Sequence, residues 1–188
     1  MRTTIIVLIA LILGFSIWHI EDHKSAPLKH LAITKSTTIV AAKPAPSVCL
    51  GNTIPQEVIV SITKQQMWVC SASTQSYDSP VITGMENLAA DLTPIGTYKI
   101  YAKETDVYLK GSDSTGSWND FVNYWMPFLY NQYGTYGFHD ATWRASTAFG
   151  TTSPDSNQAS HGCVEMPLAT AEWLYNWAQI GTTVVIQA

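Results

Sequence analysis

Apolar and polar residues alternate along QEVIVSITKQQMWVCSAS, residues 56–73. Val58, Val60 and Ile62 fall on one side of an extended chain, a polar break follows, and Met67 and Val69 resume the alternation. A period of two on both sides of a short polar break predicts a β-hairpin. SPVITG predicts a short strand ending at Gly84, and TPIGTYKIYAKE a turn at Pro94-Ile95-Gly96 followed by a strand carrying Tyr98 and Ile100. DVYLKG, the aromatic FVNYWMPFLY (broken at Pro127) and TYGFHD read as further extended segments. Only PLATAEWLYNWAQIG has helical spacing. Pro167 suits a first helical position, Leu168, Ala171, Leu174, Tyr175 and Ala178 share a face, and Gly181 is the stop. TTVVIQA closes the chain as a strand. Many strands with one or two helices predict a mostly-β fold, a β-sandwich or partly closed barrel.

The pattern is different at the start. Arg2 precedes an uncharged run from Thr3 to Ile20, and Glu21 and Asp22 end it. A spanning helix needs about 20 mostly apolar residues, so residues 1–22 read as a membrane anchor or a signal-peptide core. The anchor is favoured because Phe15, Ile17, Trp18 and His19 make a poor cleavage site. With the positive end inside, the remainder is expected to be exported and to meet the membrane only through this segment. Residues 23–48, rich in Lys, Ser, Thr, Ala and Pro, read as a linker, and 49–188 as the folded domain.

Composition narrows the partners. Charged residues make up 13% of the chain and the formal net charge is −4, with no dense basic patch, which argues against nucleic acid. Three cysteines in an exported domain leave one unpaired. Cys49 precedes the first hairpin and Cys70 lies in its second strand, so a Cys49–Cys70 disulfide would staple the incoming segment to that hairpin; two small buried thiols are the alternative.

That leaves Cys163 in SHGCVEM. A cysteine attacks as its thiolate, which a nearby imidazole generates by taking the proton. The domain's two histidines, His139 and His161, both lie within 25 residues of chain ending at Cys163. His161 would share a side with Cys163 if the segment is extended, and His139 would reach it by pairing of its own segment. Gly162 leaves room for substrate backbone, and the N–H groups of Gly162 and Cys163 are candidate oxyanion donors. A small buried thiol with bracing neighbours is the duller reading. A three-ligand zinc site of His139, His161 and Cys163 is disfavoured by the spacing, so no metal is expected.

SHGCVEM, preceded by GFHDATW, resembles the active-site signature of the L,D-transpeptidases, the YkuD domain family, with HDATW closest to its actinobacterial branch. The resemblance spans about Cys49 to Ala188 and includes VITG, TPIGTYKI and the terminal GTTVVI. It implies a cysteine acyltransferase on a β-sandwich-like fold, acting on peptidoglycan stem peptides and forming 3→3 crosslinks without a cofactor. By the same resemblance Cys163 is the nucleophile, His139 the base, and Asp140 the residue whose carbonyl orients that base. Ser160, His161 and Gly162 shape the nucleophile loop. Tyr124, Trp125, Tyr136 and Trp143 are candidate cleft residues, with core packing as the competing reading. The chain departs from the pattern at Glu165, where the family commonly carries Asn or Arg. A cysteine hydrolase or carboxypeptidase, a wall-binding module without activity, and attachment of a protein to peptidoglycan are the alternatives.

Overall fold

A computed structural model describes residues 47–114 and 116–188. The expected anchor and nearly all of the linker lie outside these residues. Among the described residues, no helix is long and apolar enough to cross a membrane.

Among the described residues, nine strands form two sheets, and no barrel closes. The first sheet holds β1 (Glu57–Ser61), β2 (Gln66–Ser71), β3 (Thr74–Pro80), β4 (Gly96–Lys99) and β9 (Thr183–Gln187), in the order β3-β2-β1-β9-β4. The second holds β5 (Glu104–Asp113), β6 (Gly116–Asn131), β7 (Gly134–Asp140) and β8 (Val164–Met166), in sequence order. The one α-helix among the described residues, α1 (Leu168–Trp177), packs on β6 and β7, and a short 3-10 turn spans Ser146–Ala148.

The alternation in the opening hairpin sets which face is buried. Val58, Val60, Met67 and Val69 are fully buried and join Met126, Phe138, Val164 and Met166 from the second sheet in one core. Ala171 and Leu174 bring α1 into it. The expected disulfide forms: Cys49 and Cys70 are bonded, with Cα atoms 5.5 Å apart, closing the incoming segment onto β2.

Several boundaries differ from expectation. Thr74–Pro80 is a polar edge strand, whereas SPVITG is strand only as far as Pro80. Val81–Gly84 is buried and makes two isolated bridges, Ile82 to Glu165 and Gly84 to Ser160. Pro127 does not break β6; the strand passes it through a register shift between Pro127 and Leu129, and a bulge absorbs the missing donor. Pro167 caps α1 from outside, with ψ 146°, and the helix stops at Trp177 because Ala178 turns extended, well before Gly181. Leu168 is exposed rather than core-facing.

Candidate active site

The second sheet explains how two segments distant in sequence meet. β7 pairs with β8 in parallel, matching Phe138 with Val164 and His139 with Glu165. On the other side of β7, Trp125 of β6 is matched with His139. Residues directly matched across strands share a face, so Trp125, His139 and Glu165 form one row. Cys163 lies one residue before the Phe138–Val164 pair and so falls beside Gly137, two positions from His139 and therefore on the same face. Cys163 and His139 line one cleft of about 400 Å³.

Two loops hold the Cys163 segment in place. On the side away from β7, Ile82 and Glu165 exchange both backbone hydrogen bonds, at 2.9 and 2.8 Å, and Ser160 N–H donates to Thr83 O at 2.9 Å. Thr93 Oγ1 donates to Gly162 O at 2.8 Å and accepts from Gly84 N–H at 2.8 Å. Gly162 has φ +104°, and a Cβ there would lie 2.5 Å from the Tyr136 ring. Both the left-handed backbone and the close approach demand glycine. Ser160 Oγ donates to Cys163 O and accepts from Gly162 N–H at 3.2 Å, which commits the Gly162 amide inside the loop.

His139 is buried, and its Nδ1 lies 2.9 Å from Asp140 O. A carbonyl only accepts, so Nδ1 carries the proton and Nε2 keeps its lone pair. The Asp140 carboxylate is buried and accepts from Asn123 N–H at 2.8 Å, Tyr124 N–H at 2.9 Å and Asn123 Nδ2 at 2.8 Å. It thereby satisfies β6 amides and fixes the carbonyl that orients the imidazole. Cys163 is the free cysteine and is half-buried. Burial pushes its thiol up to about 12; a Gly137 backbone hydrogen bond opposes the shift and the Glu165 charge adds to it. The resting sulfur is therefore protonated at neutral pH.

His161 departs from the expected geometry. The 160–163 segment is bent rather than extended, and His161 braces the cleft wall. Its Nδ1 is 3.3 Å from Asp91 Oδ2, and its ring stacks on Trp118 at 4.0 Å and 8°. Tyr136 lines the cleft beneath Gly162, and Trp143 lines it with its ring 6.0 Å from His139. Trp125 also lines it, 5.9 Å from the same ring. Tyr124 does not: strand alternation turns it to the opposite face, where it meets Tyr175 of α1 at 5.2 Å, so its assignment to the cleft is corrected. Among the described residues, no group of three or more His, Cys, Asp or Glu side chains is placed to hold a metal ion.

Nothing local in the sequence marks Asp91, Trp118 or Arg144. Glu165, where the chain departs from the family pattern, is buried and forms a two-point ion pair with Arg144, Nε to Oε2 at 2.8 Å and Nη2 to Oε1 at 3.2 Å.

The two-sheet β fold sets His139 on β7 and Cys163 just before the parallel strand β8, both lining one cleft, an arrangement that describes a class of catalytic domain. Residues 55–186 match the L,D-transpeptidase catalytic domain, YkuD, and the chain belongs to that family. It is 22% identical to the Bacillus subtilis protein named L,D-transpeptidase YciB, over 89% of this chain and 88% of that one. Among solved structures it resembles the catalytic domain of the Enterococcus faecium L,D-transpeptidase acylated by ertapenem, at TM-score 0.59 and 26% identity, over 72% of this chain and 99% of that one. A longer E. faecium L,D-transpeptidase crystal structure is matched at TM-score 0.60 and 25% identity, over 73% of this chain; the chain spans only 50% of that one.

Proposed function

We propose that this protein is a peptidoglycan L,D-transpeptidase that exchanges one stem-peptide amide for another through a thioester on Cys163. The observation that carries the reading is the placement of Cys163 and His139 on one face of the second sheet, with His139 Nδ1 tied to Asp140 O and Nε2 left to accept a proton. In the first step the Cys163 proton passes to His139 Nε2 as sulfur attacks the carbonyl of the third stem residue. The Cys163 N–H supports the developing oxyanion. The bond to the terminal D-alanine breaks, and that amine leaves with the proton held by His139. In the second step a side-chain amine of a neighbouring stem attacks the thioester and gives up a proton. The C–S bond breaks and Cys163 recovers its hydrogen as the 3→3 crosslink forms. Amide replaces amide, so neither a nucleotide nor a redox partner enters the balance.

The uncharged run from Thr3 to Ile20 behind Arg2 supports a membrane anchor and an exported domain facing the wall. Intact mass after incubation with a tetrapeptide stem is the test. The expected result is a mass gain equal to the acyl fragment on the wild-type chain and none on Cys163→Ala. No gain on the wild type, or a gain retained in the variant, overturns the assignment. The likeness to a domain described as acylated by ertapenem supports a companion prediction: a carbapenem adds covalently to the wild type and not to Cys163→Ala.

A further inference from the structure

The cleft contains one arrangement that the reaction above does not use. Two residues after the nucleophile, Glu165 puts a carboxylate into the cleft wall, in register with His139. A negative charge beside a sulfur that must become a thiolate opposes the first chemical step, because like charges raise the energy of the anionic form. Glu165 does raise the Cys163 thiol, adding to the larger effect of burial. An unpaired carboxylate buried to this degree would also be costly in itself. Arg144 answers both problems. It follows β7 by four residues, is held by a turn in which its N–H donates to Ala141 O at 3.0 Å, and meets Glu165 with a two-point fork. The guanidinium side chain is 19% exposed and the carboxylate 6%, so solvent screens the pair little. The two partners sit on the segments that carry His139 and Cys163, so the fork links the two halves of the site.

We propose that Arg144 and Glu165 are a positioning pair, in which Arg144 neutralises the carboxylate on the cleft wall and so permits the thiolate of Cys163 to form. The inference rests on Cys163 being the attacking group, and it assigns neither partner a contact with substrate. Other charged and titratable groups line the same cleft: His139, Tyr136 and Tyr133 from β7 and its turn, His161 and Asp91 from the loops, and Tyr108, Lys110 and Asp120 from the β5–β6 ribbon. The test therefore changes only the pair and reads the sulfur.

Cys163 is the free cysteine, so the rate of its alkylation by iodoacetamide at a fixed mildly alkaline pH reports the thiolate fraction directly and requires no stem peptide. Arg144→Gln should slow alkylation about tenfold, as expected when a like charge within a few ångströms is unmasked, and Glu165→Gln should speed it. The double variant should return to within about twofold of wild type, because removing both charges removes the imbalance. Arg144→Lys, which keeps the charge and loses the fork, should lie between wild type and Arg144→Gln. Single variants that move the rate in the same direction, or leave it unchanged while crosslinking falls, would reduce the pair to a scaffold and overturn the proposal. Should Arg144→Gln fail to fold, the comparison of Glu165→Gln with the double variant still decides. A failure here leaves the thioester assignment standing, since that assignment is tested by donor mass alone.

Discussion

Gly162 shows how much of the site depends on an absent side chain. Its φ of +104° and the Tyr136 ring 2.5 Å from where a Cβ would stand allow only glycine. Gly162→Ala should destabilise the fold by about 1–3 kcal/mol and move the nucleophile loop. Thermal unfolding checks the first effect and donor acylation the second. Asp140 makes a different contribution at the same scale. Asp140→Ala strands the amides of Asn123 and Tyr124 and loosens the strand that presents His139. A loss of about 2–4 kcal/mol in urea unfolding, with acylation falling further than stability alone requires, is the expected result. At this scale the sequence announced the reactive groups and not their supports. Cys163 and Gly162 stand in the string SHGCVEM, and His139 in GFHDATW. Asp91 and Trp118 act on His161 from 70 and 43 positions upstream, and nothing local marks them. Arg144 sits 21 residues from the carboxylate it pairs with, and only the parallel register of β7 and β8 brings them together.

Elements with one buried face were legible, and those with none were not. The β1–β2 hairpin alternates because one face enters the core, and the expected strands are the observed ones. β3 escaped notice because it is an edge strand whose residues are almost all exposed or half-exposed, so no alternation is imposed on TQSYDSP. The β5–β6 ribbon runs longer than its apolar part, since pairing between Leu109 and Asp120 or between Lys110 and Asn119 needs no hydrophobic side chain. Val81–Gly84 misled in the other direction. It is apolar because it is buried, yet its hydrogen bonds go to the segment around Cys163 as isolated bridges. The disulfide also belongs to this scale. Replacing Cys49 and Cys70 by serine should cost about 3 kcal/mol, given the 21-residue separation, without altering the alkylation of Cys163 by iodoacetamide in the folded protein. Denaturant midpoints with and without reductant measure that cost.

For the whole molecule, the half-buried Cys163 thiol links stability to pH. The reference pKa of 9.0 for Cys163 is raised to about 12 on folding. The folded state therefore holds this proton more tightly than the unfolded chain does. The stability this confers is complete below about pH 9 and is lost as pH rises towards 12. Tyr98 and Tyr136, both raised by burial, act in the same direction from a reference of 10.0. Alkaline unfolding should consequently begin earlier in the wild type than in Cys163→Ala, and melting temperatures measured across an alkaline pH series would show the two curves diverging.

The same tightly held proton bears on how the sulfur meets oxidants in the exported setting proposed above. Peroxide and glutathione disulfide react with thiolates far faster than with thiols, so a sulfur that keeps its hydrogen at neutral pH is spared sulfenic acid formation. It also offers little nucleophile for disulfide exchange with the bridge between Cys49 and Cys70 during oxidative maturation.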